Sequence, residues 1–190
     1  MPANLLLSVP EAADHLRAGR VIAYPTEAVY GLGCDPASEM AVRSVLELKQ
    51  RSPDLGLILV ADSLEQLRPF IDLSHITNLE TAMSSWPGPM TWLMPRAAAV
   101  PNWLAGKHAT IAVRVTAHPV CRALCAAFGG AIVSTSANRS TEPPARSSDE
   151  VQAYFGANIA GIVSGALGEK LEPSEIRDLA TGAVIRKSAQ

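Results

Sequence analysis

Residues 21–57 read VIAYPTEAVYGLGCDPASEMAVRSVLELKQRSPDLGL, and they decide the fold because they predict a buried strand, a polar turn and a helix in succession. The apolar run Val21–Tyr24 follows Gly19 and is stopped by Pro25, which is typical of a core strand. Polar residues begin directly at Thr26. A polar tip at the end of a core strand favours a binding site there.

Two polar residues and two glycines form this tip. Thr26 and Glu27 come first, and Gly31 and Gly33 follow within the same short stretch. Glycine has no Cβ, so another group can approach the backbone closely at these positions. The composition therefore indicates a site whose backbone is packed tightly against a neighbour.

A helix follows the tip, capped by Ser38 or Asp35 and ending in cations. Lys49 and Arg51 flank the predicted helix end, with Pro53 shortly after. The simpler interpretation is that they complement the helix dipole, worth at most about 1 kcal/mol, and spacing alone favours it. Anion binding is the alternative. The predicted apolar stripe of this helix comprises Met40, Ala41, Val45, Leu46 and Leu48.

Further along, an alternating strand places Arg114 between apolar neighbours. Its guanidinium is either a solvated surface group or a ligand for phosphate or carboxylate in a cleft, and the pattern does not separate the two. The strand 131–133 leads into STSANRS, residues 134–140, whose hydroxyls and amide either satisfy a turn or grip an anion. The segment PSEIRD, residues 173–178, predicts a surface loop.

Length and composition predict a single α/β domain over residues 1–190. The chain is 48% hydrophobic with a formal net charge of −2, and its pI is near 6.1. It therefore has no global basic field for nucleic acid or membranes.

No run reaches the roughly 18 apolar residues of a membrane span, and the first residues lack a signal-peptide pattern. Three cysteines, an odd number, argue against a disulfide framework. We expect a cytoplasmic protein.

Several common catalytic motifs are missing from the sequence. It contains no GxxxxGK[ST], HExxH or GxSxG string, and Gly31-Leu32-Gly33 fails the GxGxxG pattern at Pro36. The pair Cys121 and Cys125 has one-turn spacing without a second metal-ligand pair, so core packing is the expected role. The sequence thus predicts no metal ligands of its own.

Six motifs occur in one order along the chain: YPTEAVYGLG, ELKQR, WPGPMT, VRVTAHPV, STSAN and PSEIRD. Together they resemble the YrdC-like threonylcarbamoyl-AMP synthases, in the short form without an additional C-terminal domain. The resemblance implies a curved, twisted mixed β-sheet with flanking helices and a basic cavity on its concave side. The alternation of predicted strands and helices agrees with this fold.

The resemblance also implies an activity. Family members combine L-threonine, bicarbonate and ATP into threonylcarbamoyl-adenylate and pyrophosphate, for threonylcarbamoyladenosine modification of tRNA beside the anticodon. Mg²⁺ is expected to accompany the ATP phosphates without a protein cage. Expected partners are the tRNA threonylcarbamoyl-transfer machinery and, weakly, tRNA itself, with no membrane. Chemistry of this kind needs positioning and charge neutralisation more than a covalent nucleophile.

Residue roles follow from the same resemblance. Lys49 and Arg51 are expected to be catalytic and to bind the triphosphate. The residues expected at threonine and bicarbonate are Thr26, Arg114, Ser134 and Ser174. The further residues expected at ATP are Thr110, Ser136, Asn138 and Arg186.

Three positions depart from the family pattern: Leu55 stands where relatives carry Lys or Asn, and Thr141 and Ser188 stand where they carry Gly. At Leu55 we expect one polar nucleotide contact to be either absent or supplied by another residue, and at the other two positions we expect an altered loop shape. A different class of function uses the same cations: a non-catalytic module binding tRNA or double-stranded RNA through the basic cavity. The acidic pI argues against it.

Overall fold

The strand and helix predicted at the start of the decisive stretch form, and they belong to a larger mixed sheet. The computed structural model describes residues 6–170, 172 and 174–187. The strands are β1 Leu6–Leu7, β2 Ile22–Pro25, β3 Tyr30–Gly33, β4 Ile58–Ala61, β5 Thr91–Pro95, β6 Thr110–Val115, β7 Ile132–Ser136, β8 Ile162–Val163, β9 Ile176–Asp178 and β10 Val184–Arg186.

Helices flank these strands along the chain. They are α1 Val9–Arg17, α2 Glu39–Lys49, α3 Leu64–Leu67, α4 Leu79–Ser85, α5 Asn102–Ala105, α6 Pro119–Phe128 and α7 Ser148–Phe155. Short 3-10 turns cover Pro53–Leu55, Arg68–Phe70, Leu73–His75 and Gly156–Asn158. Within the described ranges, none of these helices has the length and apolar character needed to cross a bilayer.

The strands form one sheet in the order β1-β8-β2-β3-β7-β4-β6-β5-β9-β10. The sheet contains parallel pairs, such as β4 with β6 and β5 with β9, and antiparallel pairs, such as β2 with β3 and β4 with β7. One apolar cluster packs α2 and α7 against the sheet, and a second packs α1 and α6 against it, with neighbouring residues of β2, β4 and β7 alternating between the two clusters. The predicted α/β fold around an open, twisted mixed sheet is confirmed.

The glycines of the decisive stretch lie in β3, a strand that the sequence pattern did not predict. A Cβ at Gly33 would lie 2.6 Å from the Tyr24 ring and 2.9 Å from the Val133 carbonyl oxygen. At Gly31 the nearest atoms would be 3.3 Å and 3.4 Å away, on Thr26 and Tyr24. The expected close approach therefore exists, and Tyr24 of the neighbouring strand is the group that makes it.

Helix α2 carries the predicted cations to the edge of the sheet. The Ser38 side chain caps it by accepting from the Ala41 N–H at 3.3 Å, so Ser38 rather than Asp35 is the cap. Gln50 ends the helix in the left-handed conformation, with φ of 51°. Met40, which we expected in the apolar stripe, is 70% exposed and does not belong to it.

The C-terminal segment differs most from its predicted form. Part of PSEIRD is not a surface loop, because Ile176–Asp178 forms β9 and pairs in parallel with β5. Its first residue, Pro173, lies outside the described residues. Strand β10 then folds back antiparallel to β9. This pairing brings Ser174 and Arg186 beside the central strands.

Candidate active site

A cavity of about 280 Å³ opens beside the turn after β2 and the polar residues of β6 and β7. A neighbouring pocket shares Arg51, Leu55 and Ser136 with it. Of the predicted site residues, the cavity is lined by Thr26, Arg51, Thr110, Arg114, Ser134, Ser136, Ser174 and Arg186. Lys49 and Asn138 line the neighbouring pocket. The structure therefore brings all the predicted residues into one continuous region.

Arg114 is buried and ion-paired, so the solvated interpretation of this strand residue is wrong. Its Nη2 lies 3.4 Å from Oε2 of Glu27, and the two side chains are 8% and 12% exposed. The Thr116 hydroxyl donates to the other Glu27 oxygen at 2.6 Å. Burial alone would raise the pKa of Glu27, but Arg114 and the Thr116 hydrogen bond outweigh it and lower that pKa. Glu27 is thus a carboxylate held in its charged form.

Arg51 keeps donors available beside the cavity. Its Nη2 donates to the Gly56 carbonyl at 3.2 Å, while its buried Nε has no hydrogen-bond partner among the described residues. The buried Nε of Arg114 likewise has no hydrogen-bond partner among the described residues. Burial lowers the pKa of Arg51. Buried donors without acceptors are costly, so an anion in this cavity would relieve two such penalties.

Lys49 is the most enclosed cation of the site, at 3% exposure. Its Nζ donates to the carbonyl oxygens of Ser136 and Asn138, at 2.5 Å and 2.8 Å, and contacts Asn138 Oδ1 at 3.2 Å. In return, the Ser140 N–H and hydroxyl donate to the Lys49 carbonyl. Burial, then the nearby Arg51 charge, lowers the pKa of Lys49 to about 8. Lys49 therefore holds the 136–140 loop against the end of α2.

Arg186 closes the region from β10. Its guanidinium donates to the Ser174 carbonyl at 2.7 Å and contacts the Ser174 hydroxyl, which lies 3.0 Å from the Thr91 hydroxyl. The residue keeps exposed surface, but partial burial of its charge lowers its pKa, and the charges of Arg114 and Arg51 lower it further. These cations are close enough to repel one another, which favours an anionic ligand between them.

The hydroxyl residues of the site have defined local partners. The Thr26 hydroxyl donates to the Val29 carbonyl at 2.6 Å, which closes the turn between β2 and β3. The Ser136 hydroxyl donates to Asn138 Oδ1 at 2.6 Å, and the Asn138 amide donates to the Glu142 carbonyl at 2.7 Å. Ser134 is buried. The polar side chains of this loop therefore satisfy the turn, as the simpler interpretation predicted, and the loop also lies beside the cavity.

Glu27 and Thr116 are the residues whose part in the site sequence reasoning missed. Thr116 stands two residues after Arg114 at the end of β6, so strand alternation places both on the same side. The two-residue period of side chains along a strand was therefore the sequence signal that could have identified Thr116. Glu27 directly follows Thr26 in the polar tip, but nothing in its sequence position identified Arg114 as its partner.

The positions that depart from the family pattern have different surroundings. Leu55 lines both pockets and is 57% exposed, so an apolar side chain stands at the rim of a cationic cavity. Thr141 is exposed on the loop after β7. Ser188 lies outside the described residues.

In the part of the chain that the structure describes, no group of three or more His, Cys, Asp or Glu side chains is placed to hold a metal ion.

Known proteins resemble this chain over most of its length. The Sua5/YciO/YrdC family profile, described as "Telomere recombination", matches residues 14–188. A Cellvibrio japonicus protein named threonylcarbamoyl-AMP synthase is 51% identical, covering 93% of this chain and 94% of its own. An Escherichia coli O9:H4 protein of the same name is 53% identical, covering 95% of each chain.

A solved structure extends the comparison to the fold. The P. abyssi Sua5 protein, crystallised in complex with L-threonine, superposes with a TM-score of 0.87 at 31% sequence identity. The match covers 97% of this chain, which spans 56% of that longer Sua5 chain.

Proposed function

The chain belongs to the Sua5/YciO/YrdC family, and from this premise we propose that it is an L-threonylcarbamoyladenylate synthase, a nucleotidyltransferase. It joins L-threonine, bicarbonate and ATP into threonylcarbamoyl-AMP and pyrophosphate. The observation that carries the proposal is the group of cations, Lys49, Arg51, Arg114 and Arg186, around one cavity and the pocket that adjoins it. Relatives that carry this name align over almost their whole length.

The reaction divides into two steps that both create or move negative charge. The threonine amine attacks the bicarbonate carbon, and loss of water gives a carbamate. The carbamate oxygen then attacks the α-phosphorus of ATP, and pyrophosphate leaves. Neither step needs a covalent bond to the protein, so the side chains act by positioning and by neutralising charge.

Arg114 supports the threonine end of the proposed site. A guanidinium presents two parallel donors that match a planar carboxylate, and Arg114 is fixed at the cavity wall by its ion pair with Glu27. Thr26, Ser134 and Ser174 add short polar side chains along the same cavity. We assign these residues to threonine and bicarbonate.

The opposite end of the region suits the nucleotide phosphates. The Arg51 Nε there has no hydrogen-bond partner among the described residues, and the charge of Arg51 contributes to the lowered pKa of Arg186. Lys49 holds the Ser136–Asn138 loop in place, so we assign it a double role in charge and loop position. Thr110 completes the proposed ATP contacts. Excess positive charge here stabilises the departing pyrophosphate.

Mg²⁺ enters this proposal as the usual companion of ATP, and it would neutralise part of the phosphate charge. The donor set of the cavity fits an ion carried by the nucleotide. The hydroxyls of Thr110 and Ser136 are oxygen donors at the cavity wall, whereas the Glu27 carboxylate is already engaged by Arg114 and Thr116. We therefore assign no dedicated protein ligands to the ion.

The product is a mixed anhydride that water destroys, so a consumer must take it up. We propose that the tRNA threonylcarbamoyl-transfer machinery is that consumer and that the protein acts in the cytoplasm. The described cysteines are unpaired and buried, which fits a reducing compartment. A non-catalytic RNA-binding role has no observation that favours it over the enzyme.

The test is pyrophosphate release by the purified protein with ATP, Mg²⁺, L-threonine and bicarbonate, omitting each substrate in turn. Release that requires all three substrates is the expected result. Release with ATP alone, or none from folded protein, would contradict the proposed function.

A further inference from the structure

The cations of the cavity differ in one respect: Arg114 has a carboxylate partner. Glu27 lies 3.4 Å from it. Among the described residues, Lys49, Arg51 and Arg186 contact only carbonyl, amide and hydroxyl oxygens. A second carboxylate, Glu172, also lines the cavity, but among the described residues no ion pair joins it to these cations. Arg114 is therefore the cation whose charge is neutralised by a direct partner, and the other three leave a more cationic part of the region.

The Glu27 carboxylate is held rigidly in this arrangement. Thr116 Oγ1 accepts from the His118 N–H at 3.1 Å, which directs its own proton toward Glu27 Oε1, 2.6 Å away. The Glu27 carbonyl accepts from the Lys170 N–H at 3.0 Å, and a Cβ on Gly168 would lie 2.7 Å from that carbonyl oxygen. Both the backbone and the carboxylate of Glu27 are thus fixed from separate segments.

We infer that Glu27 is a specificity-determining residue, which reserves Arg114 for the carboxylate of a zwitterionic amino acid by making its surroundings unattractive to phosphate. This inference rests on the proposed function. Free threonine is zwitterionic and brings no net charge to the part of the cavity around Arg114. A phosphate brings one to two negative charges, and the fixed carboxylate of Glu27 repels them.

The argument also explains why a cavity with several cations binds two different ligands in separate places. Without Glu27, the guanidinium of Arg114 would join Arg51 and Arg186 in one continuous cationic surface. The most highly charged ligand present would then compete for all of it. Glu27 removes this competition at one end, so ATP is directed to the other.

The test is calorimetric binding of L-threonine with and without inorganic phosphate, comparing the wild type with Glu27→Gln. Glutamine keeps the shape of the side chain and an acceptor for Thr116 while removing the charge. In the wild type, phosphate should leave the threonine Kd nearly unchanged. In Glu27→Gln, millimolar phosphate should raise the apparent Kd by at least about tenfold.

Two further variants complete the design. Glu65→Gln removes a carboxylate from an exposed pair with Arg68 at 2.7 Å, outside the cavity lining, and should behave as the wild type. Thr116→Val keeps the Glu27 charge but frees the carboxylate to move, so it should show a smaller phosphate effect. If Glu27→Gln fails to fold, Thr116→Val tests the inference by itself. A threonine Kd in Thr116→Val that responds to phosphate as the wild-type Kd does would then contradict the inference.

The outcomes separate the inference from the proposed function. Equal phosphate responses in the wild type and Glu27→Gln overturn the role of Glu27, whatever the turnover of the enzyme. A phosphate effect confined to Glu27→Gln supports that role even if pyrophosphate release is absent, which would overturn the proposed reaction alone. A wild-type protein that binds no threonine overturns both.

Discussion

The cations of the site hold their charges in different surroundings, so each residue has its own expected phenotype. Arg51 donates to one carbonyl, and its Nε has no partner in the part of the chain that the structure describes. Lys49 is enclosed by acceptors of the 136–140 loop. Removing Lys49 would strand buried carbonyl groups, whereas removing Arg51 breaks one hydrogen bond. The two changes should therefore affect stability differently even if both reduce turnover.

We predict that Arg51→Ala folds normally but loses at least about 2 kcal/mol of transition-state stabilisation, seen as a fall in kcat/KM for ATP. The reason is that its free donors and charge are directed at the phosphates in our assignment. Arg43→Ala is a suitable control, since Arg43 pairs with Glu39 on the exposed side of α2, the helix that precedes Arg51. Unchanged turnover in Arg51→Ala would contradict its assigned role.

Lys49 should make activity sensitive to pH. Its pKa is lowered to about 8, so the charged form that serves phosphate is lost as the pH rises through that value. We predict that kcat/KM for ATP falls above about pH 8 and that Lys49→Arg, if active, keeps a flat profile there. A wild-type profile that stays flat to pH 10 would show that the Lys49 charge is not used.

The same pKa shift has the opposite effect on stability. Unfolded Lys49 keeps its proton up to its ordinary pKa of 10.5, whereas folded Lys49 loses it near pH 8. The unfolded state therefore binds more protons between these values. This side chain makes the free energy of unfolding rise with pH in that window. Denaturant unfolding of the wild type and of Lys49→Met at pH 7.5 and 9.5 measures this contribution as the difference in how their free energies of unfolding change with pH.

At the level of secondary structure, the sequence predicted elements with a clear period and missed those made by long-range pairing. The strand near Val21–Tyr24 and helix α2 follow from local apolar patterns. Strand β3 contains two glycines, and β9 is short and polar, so neither has a local signal; each forms because a neighbouring strand offers its hydrogen bonds. The pairing of β9 with β5 also determines where Ser174 lies.

The site was predictable in part for the same reason. The polar tip after β2, the cations after α2 and the cluster after β7 each lie at the end of an element, where sequence patterns show them. Their assembly around one cavity depends on strand order, and the resemblance to a known family supplied the residue roles. The Glu27–Arg114 pair joins two distant segments, so only the folded chain reveals it.

The hairpin of β2 and β3 provides a prediction at this level. Gly33→Ala should destabilise the protein by about 1–3 kcal/mol, because the added methyl group would overlap the Tyr24 ring and the Val133 carbonyl. Gly31→Ala is the matched control, since its nearest neighbours would be 3.3 Å away or more, and it should cost less. Denaturant unfolding of both variants measures the difference. Equal costs would contradict the packing argument.

For the whole molecule, the relevant contrast is between a net charge of −2 and a local concentration of cations at one cavity. Such a distribution favours small anions over long polyanions. We predict that tRNA binds weakly, with a log–log salt slope shallower than about −4, because few cations face a common surface. Tight binding with a steeper slope would favour the RNA-binding alternative.

The most direct test of the central claim follows the carbonate carbon into the product. The purified protein is incubated with ATP, Mg²⁺, L-threonine and isotope-labelled bicarbonate, and the nucleotides are identified by mass spectrometry, with Arg114→Met as the comparison. We predict labelled threonylcarbamoyl-AMP from the wild type and at least about tenfold less from Arg114→Met. ADP or AMP without a labelled adduct, or equal adduct from both proteins, would contradict the assignment of this cavity as the site of synthesis.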